Sequence, residues 1–119
     1  MTNTGLYGSY TLTKIKIDEI VTSICAGVYV LGHSLANGTF IVQYVGRSDT
    51  DVNSRLKQWV GGDYTQFKLG YFSSPKTAFE KECTVYHDFG GQEGLLDNSI
   101  HPQRPQNTNW ECQGVMYLR

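Results

Sequence analysis

Cysteine is scarce here: Cys25, Cys83 and Cys112 are the only three in 119 residues, an odd number with no CxxC spacing. That argues against a disulfide framework and for a reducing compartment, so the expected location is cytoplasmic. No apolar run approaches the length of a membrane span, and no basic stretch followed by an apolar one opens the chain. A soluble protein without a membrane anchor or secretion signal is the expectation. Surplus positive charge is missing as well: ten Lys and Arg against eleven Asp and Glu leave a formal net charge of −1 and a pI near 6.3. A protein that held nucleic acid by electrostatics alone would carry a basic excess, so any non-specific hold on it should be weak. Internal repeats and low-complexity linkers are absent too, and 119 residues make one modest core and no second.

What the chain does contain is clear punctuation. Residues 1–9 are polar and Gly-rich and read as a mobile tail or a loosely packed arm. The apolar set Leu12, Ile15, Ile17, Ile20, Val21 and Ile24 starts in alternation and ends nearer helical spacing, so the lead-in through residue 23 opens as a strand and closes as a short helix. Residues 26–32 and 39–46 are rich in Val, Ile, Tyr and Phe around Asn37-Gly38, which predicts a β-hairpin. A capping cluster at residues 48–51 precedes Val52, Leu56, Trp59 and Val60 at helical spacing, with Gly61-Gly62 as the stop. Residues 66–72 alternate and predict a third strand. Ser74 as N-cap and Pro75 at the first helical position open a second helix that runs to about Phe89. The closing stretch Val115-Met116-Tyr117-Leu118 suits an edge strand. The order hairpin, helix, strand, helix predicts an α+β fold, a small three-stranded antiparallel sheet with flanking helices.

Within that order sit two tripeptides, Gly27-Val28-Tyr29 and Tyr44-Val45-Gly46, with Arg55 nine residues after Gly46. Downstream, the second predicted helix carries Glu82, and Asn98 follows sixteen residues later. This ordered set resembles the signature of the GIY-YIG nucleases, in which two tyrosines on adjacent strands, an arginine on the next helix, a metal-binding glutamate on a later helix and an asparagine converge on one phosphodiester. The resemblance covers residues 24–112 and marks residues 24–119 as a GIY-YIG-like nuclease domain behind the lead-in of residues 1–23. It implies a metal-dependent endonuclease that hydrolyses DNA, with RNA also open as substrate, using Mg²⁺ or else Mn²⁺. By the resemblance Tyr29 and Tyr44 orient the attacking water near the scissile phosphate, Arg55 binds developing negative charge, and Glu82 holds the metal. Asn98 supports Glu82 or the metal's water shell, and Arg47 steers the phosphate. The chain departs from the pattern once: many members carry a histidine four residues after the arginine, where this chain has Trp59.

Each of these residues also has an ordinary structural reading. Two strand tyrosines among eight are unremarkable on their own, and a phenol of ordinary pKa near 10 is a poor base at neutral pH. Metal-bound water or a perturbed phenol must then do part of the work. Arg55 on a helix surface would pair with Asp51 one turn back, Arg47 would be an exposed strand-end cation, and Asn98 a loop former. Glu82 is sharper: at about 100° per residue it falls about 40° from Ala78, on the apolar face, whereas Glu80 falls about 160° away. An ionised carboxylate on that face is costly unless paired or metal-bound. Cys83, His87, His101 and Cys112 formally offer zinc ligands, but their spacing fits no compact zinc pattern. A bare domain of this size leaves sequence specificity to a second copy or a partner protein. Weak charge and Trp59 keep a second function open, a catalytically weak or inactive nuclease-fold module that binds nucleic acid or protein.

Overall fold

Each helix begins at a side chain placed to cap it. The Thr13 hydroxyl accepts from the Lys16 amide at 3.2 Å, the Asp51 carboxylate from Ser54 at 3.2 Å, and the Ser74 hydroxyl from Thr77 at 3.3 Å. A computed structural model describes residues 5–91, 94–98 and 102. The elements run β1 (Tyr7–Thr11), α1 (Lys14–Ile20), β2 (Gly27–Ser34), β3 (Phe40–Ser48), α2 (Val52–Lys57), β4 (Gln66–Tyr71) and α3 (Pro75–Asp88). In the β2–β3 turn Asn37 Oδ1 accepts from the Thr39 amide at 3.0 Å, and the Leu35 amide closes onto the Thr39 carbonyl at 2.8 Å.

The α+β class holds, but the sheet has four antiparallel strands where the sequence predicts three, in the order β1-β4-β2-β3. The additional strand is β1. Tyr7 and Gly8, expected in a mobile tail or loosely packed arm, pair with β4 opposite Leu69 and Lys68, and after a register shift Tyr10 lies opposite Phe67. α1 sends Ile17 into the core with no exposed surface, so residues 7–20 belong to the sheet and one of its covering layers. The expected strand at residues 115–118 lies outside the described residues.

Strand β2 lies inside the sheet, and its first six residues are buried on both faces. One face, with Tyr29, Leu31, Phe67 and Leu69, packs against Ile17 of α1 and Val52 and Leu56 of α2. The other, with Val28, Val30 and Val45, packs against Ala78, Val85 and Tyr86 of α3. Strand β3 is an edge, and residues 97–98 run along it: the Asp97 amide donates to the Gln43 carbonyl at 2.6 Å. Covering an edge in this way removes a template for pairing with another chain. Among the described residues no helix is long and apolar enough to cross a membrane.

One expectation from the cysteines is corrected. Cys83, fully buried on α3, is disulfide-bonded, while Cys25 is free. Pairing depends on tertiary proximity, which spacing along the chain does not reveal.

Candidate active site

Both glycines of the two tripeptides are where a side chain has no room. Tyr29 and Gly46 are directly opposite on β2 and β3, and a Cβ on Gly46 would lie 2.3 Å from Tyr29 Cζ. The phenol ring thus lies across the backbone of Gly46. At Gly27 a Cβ would approach Val52 Cβ to 2.9 Å, so its absence lets α2 settle on β2. These contacts give the spacing Gly-x-Tyr and Tyr-x-Gly a packing reason that neither tripeptide shows by itself.

Tyr44 pairs with Leu31, two residues beyond Tyr29 on β2, so both tyrosines project from the same face of adjacent antiparallel strands. Their surroundings differ. Tyr44 is half-buried, its ring 4.6 Å from Trp59 and 6.3 Å from Tyr64 between centroids. Tyr29 is 1% exposed, and its hydroxyl oxygen accepts from Trp59 Nε1 at 2.9 Å. Tyr29 is therefore covered by the indole that follows α2. Burial pushes both phenols above the ordinary tyrosine value, and the Glu82 carboxylate adds to the rise while Arg55 opposes it. For Tyr29 the Trp59 hydrogen bond is the stronger opposing influence.

Glu82 is buried on α3, as the helical wheel predicts, with 8% of its surface exposed. Its Oε1 accepts from Arg47 Nη1 at 2.7 Å, and the same guanidinium holds Asp49 through Nε at 2.7 Å and Nη2 at 3.4 Å. Arg47 also lies over the Phe79 ring, 5.2 Å from its centroid. Arg47 is thus a partly buried counter-ion rather than an exposed strand-end cation. Burial drives the Glu82 carboxyl up to about 7; Arg47 pulls it down, Asp49 pushes it further up, and Arg55 pulls it down again.

Arg55 is exposed near the end of α2 and makes no ion pair among the described residues; Asp51, its expected partner, is occupied in capping Ser54. Its charge nonetheless influences Tyr29, Tyr44 and Glu82 alike. Two residues on one sheet face, one from α2 and one from α3 on the other face thus come within mutual electrostatic reach around edge strand β3. Comparisons with protein-family models, curated proteins and solved structures found no match for this chain.

Asn98 is nearby but does something other than hold Glu82. Its Nδ2 donates to the Val45 carbonyl at 2.7 Å and its Oδ1 accepts from the Val45 amide at 3.0 Å. One side-chain amide does for Val45 what a neighbouring strand would do, fixing the segment that carries Tyr44, Gly46 and Arg47. Trp59 and Tyr64 are site residues that the motif does not contain. Tyr64 meets Trp59 edge-on, with ring centroids 5.9 Å apart, and donates its hydroxyl to Asp97 at 2.9 Å. Only the helical spacing of Trp59 after Arg55 hinted at its placement.

A divalent cation can be tested against these donors. Among the described residues no group of three or more His, Cys, Asp or Glu gathers, so no all-protein cage forms. A zinc site using Cys83 is excluded by its disulfide, and His101 and Cys112 lie outside the described residues. Mg²⁺ asks for less: one or two carboxylates, with water and substrate phosphate completing the shell. Glu82, the buried carboxylate among the described residues, could supply one such ligand by sharing its charge between Arg47 and the ion.

Proposed function

We propose that this chain is a small GIY-YIG-type nuclease domain that hydrolyses phosphodiesters in DNA with the help of a divalent metal, Mg²⁺ first. The observation that carries the reading is Glu82: a carboxylate kept on the apolar side of a helix, against the cost of its own ionisation, whose charge is felt by two phenols and which itself feels the charge of an uncommitted arginine. Such a carboxylate contributes little to folding and much to binding a cation.

Bound at Glu82, a divalent ion supplies Lewis-acid polarisation and a more acidic water. The chain's own residues bind and orient. Arg55 presents a planar guanidinium to the phosphate and to the negative charge that grows on it during attack. Tyr44, half-buried at the β3 edge, and Tyr29 behind it enter protonated, because burial holds both above the ordinary phenol value. They orient oxygen atoms by hydrogen bonding and do not remove protons. Arg47 keeps Glu82 compatible with a folded core until a second cation shares it.

A second reading, a nuclease-fold module that binds nucleic acid or protein without turnover, is favoured by one specific contact: the Arg47–Glu82 pair at 2.7 Å already gives the carboxylate a cation. Nicking of supercoiled plasmid separates the two. Mg²⁺-dependent nicking that disappears in Glu82→Ala supports the enzyme, and its absence from the wild type supports the binding module. Target sequence would come from a second copy or a partner protein.

A further inference from the structure

Helix α3 is buried further round than the sheet accounts for. Ala78, Val85 and Tyr86 pack on Val28, Val30 and Val45, the face of the sheet that α3 covers. Cys83, with none of its surface exposed, falls about 60° past Tyr86 round the helix, and Phe79, 2% exposed, falls between them. The opposite flank is taken by the lead-in, where a Cβ on Gly5 would lie 2.8 Å from Lys81 Nζ. Burial of the Phe79–Cys83 flank therefore calls for a further cover beside the sheet. The disulfide identifies it: Cys83 is bonded, Cys25 is free, and the chain contains one other cysteine, Cys112. Bonded cysteines have Cα atoms within about 7 Å of each other, so this pairing brings the C-terminal segment to that flank.

We propose that a Cys83–Cys112 disulfide fastens the segment around Cys112 against the Phe79–Cys83 flank of α3, as a cover that thiol reductants release. The flank borders the candidate site: the Arg47 guanidinium lies over Phe79, 5.2 Å from the ring centroid, and bonds Glu82 at 2.7 Å. The segment starts from the right side, since Asn98 is bonded to Val45 on the same edge strand as Arg47. The stretch from there to Cys112 reaches about 45 Å when extended, ample for the pairing. Release is a thiol–disulfide exchange with a dithiol. One thiolate of the dithiol attacks the Cys112 sulfur, because Cys83 has no exposed surface, and Cys83 leaves with its electron pair and takes up a proton. The second sulfur of the dithiol then displaces Cys112 as a thiol, so the reductant ends as a cyclic disulfide and its two hydrogens end on the two cysteines. The clasp needs no phosphodiester and stands whether or not the chain cleaves DNA.

Peptide mapping of the full chain tests the bond. The oxidised protein is blocked with N-ethylmaleimide, unfolded and cleaved after glutamate, and the peptides are weighed with and without reductant. The expected pair is 83–93 joined to 112–119, with Cys25 carrying the blocking group. Native alkylation tests the cover. In the chain reduced by a dithiol, and in Cys112→Ser without reductant, Cys83 should react with iodoacetamide within about tenfold of the rate of Cys25, because reactivity follows exposure. By closing a loop of about thirty residues, the bond should also raise the melting temperature by about 10 °C over either open form. Cys25→Ser should leave the pairing and the melting difference unchanged, and circular dichroism should show every form folded at room temperature. Cys83 bonded to anything but Cys112, Cys83 unreactive in a reduced chain whose Cys25 reacts, or an unmoved melting temperature overturns the proposal. So does a helix signal lost on reduction, which would make the disulfide part of the core rather than the fastening of a cover.

Discussion

Replacing Glu82 with Gln removes a charge from a buried position while keeping a side-chain oxygen for Arg47 Nη1 to bond. The carboxyl rises from 4.5 to about 7 on folding, mainly through burial. At about 1.36 kcal/mol per pKa unit, that is on the order of 3 kcal/mol. The folded-state value lies above the unfolded one, so folding favours the protonated form. Its contribution is whole below about pH 4.5 and is lost as pH rises through about 7. Between pH 5 and 8 the wild type should accordingly lose about 2 to 3 kcal/mol of stability relative to Glu82→Gln. Urea unfolding of both proteins, followed by circular dichroism at four pH values, gives the difference directly, because every other titrating group cancels. Mg²⁺ adds a second arm. A cation held by Glu82 stabilises the native wild type at pH 8 and does little for Glu82→Gln, by about 1.4 kcal/mol at ten times its dissociation constant. Parallel stability curves across this pH range would refute the burial argument, and equal effects of Mg²⁺ on both proteins would remove the ion from Glu82.

Gly46→Ala should cost about 1 to 3 kcal/mol in urea unfolding, because its Cβ would meet the Tyr29 ring at 2.3 Å. Asn98→Ala leaves the Val45 amide and carbonyl without their partner; a loss of about 1 to 3 kcal/mol is expected, with faster hydrogen exchange at the Val45 amide as the local sign. Binding to random duplex should be micromolar or weaker at physiological salt and fall further as salt rises. The site's cations are largely committed, Arg47 to Glu82 and Asp49 and Lys57 to Asp18, leaving Arg55. Nanomolar affinity in a fluorescence anisotropy titration would contradict that account.

The readable parts of this chain are those whose cause is local. Asn37 before Gly38, Ser74 before Pro75 and the alternation of residues 66–71 announce the hairpin, the start of α3 and β4, because caps and turns involve residues two or three apart. Strand β1 is displaced by comparison: the lead-in does open as a strand, but at Tyr7–Thr11, ahead of the apolar set that starts at Leu12 and feeds α1. Tyr7–Thr11 is short and contains Gly8, and its partner β4 is about sixty residues away, so no neighbouring residue signals the pairing. The burial of Glu82 was legible from helical periodicity, but its ion pair with Arg47 spans thirty-five residues and two elements. Asn98 illustrates the same limit: a loop asparagine reads as a turn former, whereas here its amide completes a strand edge fifty-three residues back. The helical spacing of Trp59 after Arg55 placed it near α2, yet its bond to Tyr29 exists only once β2 and the turn after α2 are packed together.

The central claim is that Glu82 and Arg55 act together on a phosphodiester, and plasmid nicking tests it most directly. Supercoiled DNA is incubated with wild type, Glu82→Ala, Arg55→Ala and Glu80→Ala, each with Mg²⁺ and with EDTA. The prediction is nicking by wild type and Glu80→Ala in Mg²⁺ alone, and none above background by folded Glu82→Ala or Arg55→Ala. Wild-type rates in Glu82→Ala, or nicking that persists in EDTA, would contradict it.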